Sequence, residues 1–239
     1  MQNSLLSYFS KRLSHENAGE LQKGDPGPVI TISRQVGCNG VKLAKKIAEK
    51  LNENYTYSNW KVLSKEVFEQ TAKELDMETE KIRRMFKQDD SYAFNEILNA
   101  IGTNRFKSEK KIAKTVREVI HTFAVDGHCI IVGRGAHIIA RDIKNALHIR
   151  LIAPIEYRIK TIMKNNHLNR EEAIHFINKV EKERISFRNA IGKISMEDDL
   201  FDLFINRASF NDDDTIYIIK KAGSRKGIFN HYSNTQTFY

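Results

Sequence analysis

From Val29 to Leu51 the chain reads VITISRQVGCNGVKLAKKIAEKL: a short apolar run, a turn with two glycines, then a segment of helical periodicity. Strand, turn and helix in that order build an anion site from backbone alone. Gly37 and Gly40 can take positive φ and bring main-chain N–H groups against an oxyanion, and the positive end of the following helix points at the same spot. Phosphate is the ligand that suits it. The stretch departs from the full GxxxxGK[ST] pattern, because with Gln35 at the first glycine, Val41 falls at the lysine and Lys42 at the hydroxyl. A phosphate cradle is expected, without that pattern's lysine and metal-binding hydroxyl.

The rest of the chain repeats the alternation of strand and helix. After a Gly/Pro linker at Gly24 to Pro28, Val29 to Ser33 is predicted as a central parallel strand, apolar on both faces. The helix from Val41 to Asn52 carries Leu43, Ile47 and Leu51 as one stripe. Further strands are predicted at Asn59 to Leu63, His128 to Val132, Ala146 to Ile152 and Phe201 to Asn206. Helices are predicted from Ser64, to about Phe86, over Ser108 to Val125, Ala136 to Arg141, onward from Pro154, over Asn169 to Asn189, and over Asp212 to Lys221. Lys87 to Lys107 has weak periodicity and reads as a variable part. Alternation of this kind implies a parallel sheet with right-handed crossovers and ligands at the carboxyl ends of its strands.

Composition narrows the classes. A chain of 239 residues with 41% hydrophobic content can bury a substantial core. Its formal charge of +9 favours polyanionic ligands, nucleotides or nucleic acid. Lysine-rich runs such as Lys107 to Lys114 alternate with glutamate as solvated faces do, and no aromatic platform accompanies them, so nucleic acid ranks low as a partner. Cys38 and Cys129 are the only cysteines, which gives neither a disulfide framework nor a metal-ligand set and fits a reducing, cytoplasmic setting. The leading MQNSLLSYFSKRLSHENAGE has too short an apolar run for a signal peptide, and no stretch is long enough to span a bilayer.

Two further constellations carry cationic chemistry. Gly133-Arg134-Gly135 follows the apolar CIIV directly, so Arg134 reads either as an exposed turn residue or as an arginine swung into the crevice to pair with phosphate. Arg158, Arg170, Arg184 and Arg188 lie on the helical segments after the fourth strand. They read either as a surface face paired with Glu181 or Glu183, or as a cationic arm over the crevice.

In order along the chain, ITISRQ with its spaced glycines, CIIVGRGA, HIRLIAPIEYRI, EKER and FDLFINRASF resemble the cytidylate kinase-like family, relatives of nucleoside monophosphate kinases. The resemblance covers about residues 29–222. It implies an α/β, three-layer P-loop fold with a five-stranded parallel sheet and a helical lid at about 158–195. Residues 1–28 would then form an N-terminal leader and 223–239 a C-terminal tail. It also implies ATP with Mg2+ as donor system and a nucleoside monophosphate, CMP or dCMP, as acceptor.

Carried over by position, the donor's phosphates would be held by Arg34, Gly37, Cys38, Asn39, Gly40 and Lys42. Arg134 would contact the acceptor's phosphate with Arg188 nearby, and Arg158 and Arg184 would serve with Lys42 in catalysis. Several positions differ from the family pattern. Val41 stands where an arginine is usual, no Ser or Thr follows it, Ser64 stands for an aspartate, Gly135 for the last residue of GRD, and Glu181 for an aspartate. Those differences keep open a second class: a nucleotide-binding regulatory module of the same fold with weak or no turnover.

Overall fold

The computed structural model describes residues 27–54, 60–64, 117, 120–192 and 197–229. The leader, the helices expected between Ser64 and about Phe86, the stretch from Lys87 to Lys107 and the end of the tail lie outside the described residues.

Five strands form one parallel sheet: β1 (Val29–Arg34), β2 (Lys61–Ser64), β3 (Cys129–Val132), β4 (Ala146–Ile152) and β5 (Leu203–Asn206), in the order β2-β3-β1-β4-β5. β1 is paired on both edges, with Ile32 opposite Val132 on one side and Ile149 on the other. That central place explains why Val29 to Ser33 are all buried, since neither face nor edge meets water. The turn after β1 therefore sits in the middle of the sheet's carboxyl end.

One face is covered by α1 (Gly40–Asn54), whose stripe Leu43, Ile47 and Leu51 is essentially fully buried against Ile30, Ile32 and Leu151. The helices that follow are α2 (Ala136–Ile139), α3 (Ile155–Asn166), α4 (Arg170–Ile191) and α5 (Asp212–Arg225). Pro154 precedes α3 as expected, and Asn169 caps α4 with a reciprocal box in which Asn169 Oδ1 accepts from Glu172 N–H and the Glu172 carboxylate accepts from Asn169 N–H. The last helix runs beyond its expected end at Lys221, and Ile228 and Phe229 after it are buried in the main core. Gly223 lets this happen, because a Cβ there would lie 2.5 Å from the Phe229 ring.

The opposite face of β1 is polar where it meets β4. Thr31 and His148 are register partners and share a 2.7 Å hydrogen bond, and one step on Arg150 donates to Ser33 at 2.6 Å. His148 N–H also donates to Asp202 Oδ2 at 2.7 Å. Burial pushes the His148 ring down from 6.5 to about 4, against Asp202 and with help from Lys226 and His137.

The sign follows. Above pH 6.5 His148 is neutral folded or unfolded; between 6.5 and about 4 the unfolded chain binds the proton and the folded one does not. Stability contributed by neutral His148 is therefore complete above pH 6.5 and is lost as pH falls towards 4. Denaturant midpoints across that window are expected to decline more steeply for the wild type than for His148→Gln; equal slopes would contradict the assignment.

Candidate functional site

The turn between β1 and α1 is bent by Gly37 at φ 93° and Asn39 at φ 50°, both in the left-handed region. Gln35 locks the turn to the sheet, its N–H donating to Leu151 O at 3.0 Å and its side-chain oxygen accepting from Ala153 N–H at 2.9 Å. The amides of Gly40, Val41 and Lys42 precede the helical ladder, which begins with Leu43 N–H on Asn39 O at 3.1 Å. The Asn39 side chain, the natural cap, accepts instead from Asn165 Nδ2 at 2.9 Å. An uncapped helix start thus stands at the centre of the sheet's carboxyl end, the geometry that suits an oxyanion.

Helices α3 and α4 fold back over this turn. A Cβ on Gly37 would lie 2.8 Å from both Cα and the carbonyl oxygen of Arg158, so the first turn of α3 rests directly on bare backbone. Val36 is drawn upward into a small cluster with Ile159, Ile162, Ala173 and Ile177, separate from the main core. Along α4 the stripe that buries Ala173, Ile177 and Ile191 carries Glu181, Arg184 and Arg188 between them at helical spacing. Glu181 accepts from Val36 N–H at 2.7 Å, and Arg184 donates to Arg34 O at 3.1 Å.

The arginines meet here. Arg158, its side chain 13% exposed, lies 3.5 Å from the Glu181 carboxylate. Arg134, at φ 53° between two positive-φ glycines, stacks its guanidinium 5.1 Å from the Phe187 ring centre on α4. Arg34 runs across the mouth of the sheet, its guanidinium against the backbone of Gly133. Arg188, part-buried, follows Arg184 by one turn. Arg170 takes no part, because it forms a two-point pair with Glu156, at 2.7 and 2.8 Å, on the outer side of the hairpin.

The lysines behave differently from the arginines. Lys42 and Lys45 are exposed on α1, and Lys46 forms an ion pair with Asp212 of α5 at 2.7 Å. Cys38 is buried, and loss of solvent pushes its thiol up to about 11 against the nearby positive charge of Arg158 and Arg207, so it packs as a small apolar side chain. Its contribution to the turn is backbone.

Three residues at the site were not picked out from sequence. Arg207, buried just past β5, donates to Phe210 O at 3.4 Å and Asn211 O at 3.2 Å and also reaches Thr215 and Asp212, so it organises the β5–α5 turn. Arg150 and Asn165 are the others. An arginine inside an apolar strand, as in HIRLI, is a readable signal for the first of these; Asn165 carried none.

A family model for the cytidylate kinase-like family matches residues 29–209, a span that holds β1, the turn, both covering helices and β5. The chain belongs to the cytidylate kinase-like family. Among solved structures, an uncharacterized protein from Eubacterium ventriosum is similar at 19% identity and a TM-score of 0.58, over 82% of this chain and 98% of its own. A shikimate kinase from Bacteroides thetaiotaomicron is similar at 13% identity and a TM-score of 0.39, over 83% and 95% of the two chains. A dephospho-CoA kinase from Campylobacter jejuni is similar at 16% and 0.34, over 82% and 98%. The curated proteins contain no match. The expected P-loop α/β fold with its five-stranded parallel sheet is borne out, and no helix among the described residues is long and apolar enough to cross a membrane.

The seating of α3 on this turn requires Gly37 to lack a side chain. Gly37→Ala combines a disfavoured φ with overlap on the Arg158 backbone, and it is expected to cost more than about 1 kcal/mol. Thermal unfolding, together with protease cleavage within 155–191, checks both the loss and its location.

Proposed function

We propose that this protein transfers the γ-phosphoryl group of ATP to a nucleoside monophosphate, with CMP or dCMP as acceptor. One observation supports the reading above others: Arg34, Arg158 and Arg184, from a strand and two covering helices, are drawn together around one uncapped helix start.

In this reading the amides of Gly37, Asn39, Gly40 and Lys42 and the positive end of α1 receive the donor's phosphates, with Lys42 exposed on the same turn. Cys38 supplies backbone only. Arg134, on the turn after β3, holds the acceptor's phosphate with Arg188 beside it. An oxygen of that phosphate forms the new bond to the γ-phosphorus as the bond to the β–γ bridging oxygen breaks, and ADP leaves. The chemistry asks for alignment and for cancellation of charge on the γ-phosphoryl oxygens, which Arg158 and Arg184 supply from the closing helices. Burial under α3 and α4 strengthens that interaction by excluding water.

ATP is used as its Mg2+ complex. The described residues contain no group of three or more His, Cys, Asp or Glu placed to hold a metal, and the Ser33 hydroxyl accepts from Arg150. Mg2+ would therefore be carried mainly by the phosphate oxygens of ATP and by water, where it would offset charge on the phosphates, and no step is assigned to it.

A second reading, a nucleotide-binding module without turnover, is favoured by a single contact. Glu181 holds the Val36 amide at 2.7 Å and lies 3.5 Å from Arg158, so one of the arginines assigned to catalysis already has a carboxylate partner.

ADP formation from Mg·ATP with a panel of monophosphates separates the two, and CMP or dCMP is expected to give the highest kcat/KM. Arg134→Ala is expected to raise the acceptor's KM about tenfold, a loss of about 1.4 kcal/mol. Arg158→Ala or Arg184→Ala is expected to lower kcat about a thousandfold. Calorimetric ATP binding with no ADP formed from any acceptor would establish the second reading instead.

A further inference from the structure

The turn has no lysine in the position where phosphate loops carry one, and the stem of a different cationic side chain, that of Arg34, runs beside that position. We propose that a glycine and a cation have exchanged places across this turn, so that Arg34 at the end of β1 serves the phosphoryl groups in place of the loop lysine. The inference rests on the phosphotransferase reading above and names the residue that positions the donor.

The frame of the motif decides the comparison. β1 ends at Arg34 and α1 begins at Gly40. Read from Arg34, the pattern GxxxxGK puts Arg34 at its first glycine, Asn39 at its second and Gly40 at its lysine. Asn39 fits this frame, since at φ 50° it holds the left-handed conformation that a glycine would supply. Val41 does not fit as a lysine position, because its side chain packs against the main core.

The volumes agree. A Cβ on Gly40 would lie 3.1 Å from Arg34 Cγ and 3.3 Å from its Cδ, so the arginine stem runs through the space where a residue-40 side chain would start. Further out, a Cβ on Gly133 would lie 1.9 Å from Arg34 Nη1, which seats the guanidinium on bare backbone beside Arg134. Two glycines from opposite sides thus make a sleeve for one arginine. Its charged end lies between the uncapped start of α1 and the turn that carries Arg134, the two places assigned to donor and acceptor phosphates. Arg184 is tied to the same residue through the Arg34 carbonyl at 3.1 Å. A guanidinium suits the position because its planar set of N–H groups can face oxygens of two phosphoryl groups at once, which a lysine's point charge does less well.

Calorimetry of the full chain with ATP and with inorganic pyrophosphate tests this, using Arg34→Gln, Arg34→Lys, Gly133→Ala and the exchange variant Arg34→Gly with Gly40→Lys. Arg34→Gln is expected to weaken both ligands at least tenfold, and Arg34→Lys to lose less. Gly133→Ala, which keeps the charge but pushes the guanidinium from its seat, is expected to weaken them as Arg34→Gln does. The exchange variant is expected to bind more tightly than Arg34→Gly alone, since it restores the usual order. Wild-type affinity in Arg34→Gln, with loss in Lys42→Ala, would overturn the inference and leave the functional reading standing. No binding of ATP by the wild type would overturn both.

Discussion

The contact on which the site depends is between two stretches of backbone, Gly37 on the turn and Arg158 on α3. A side chain on Gly37 would overlap Arg158 at 2.8 Å, and its absence lets α3 settle onto the turn. Three hydrogen bonds that cross great sequence distances then become possible: Asn165 to Asn39, Val36 to Glu181 and Arg184 to Arg34. None is strong alone, about 1 kcal/mol net each for neutral pairs and somewhat more where Glu181 or Arg184 brings charge. The apolar cluster around Val36 adds the non-directional part, and it forms from the turn itself rather than from the main core.

Charge has the opposite tendency. Bringing guanidinium groups together under a pair of helices costs Coulomb repulsion and solvation, and it persists only where partners offset it. Glu181 does so for Arg158, while the Arg34 carbonyl and the Phe187 ring hold Arg184 and Arg134 in place as neutral groups.

Much of this was legible. β4 and the starts of α3 and α4 fall where their sequence patterns put them, because Pro154 and Asn169 act locally and need no tertiary help. Strand order was not legible, since pairing β1 between β3 and β4 depends on the crossovers rather than on any strand's own residues. Glu181, Arg184 and Arg188 show how far periodicity carries: charged residues on the stripe that buries Ala173 and Ile177 must face something other than water. What they face lies some 145 residues away in the case of Val36, a separation that periodicity cannot bridge. Lys46 lies close to the turn in sequence, but its partner Asp212 comes from the far end of the fold.

Gly133 shows why conformation and volume have to be argued separately. Its φ of 79° alone would admit asparagine, and neighbouring Arg134 holds φ 53° without being glycine. What a side chain there would meet is the Arg34 guanidinium, with Nη1 1.9 Å from the Cβ position, so it would displace the end of that arginine. The open side of this glycine is thus occupied by a cation from a different strand. The reach also selects the residue type: a side chain that starts on β1, passes the opening of α1 and ends against the turn after β3 needs arginine's length, and its flat head fits against a peptide plane where a tetrahedral ammonium would make fewer contacts.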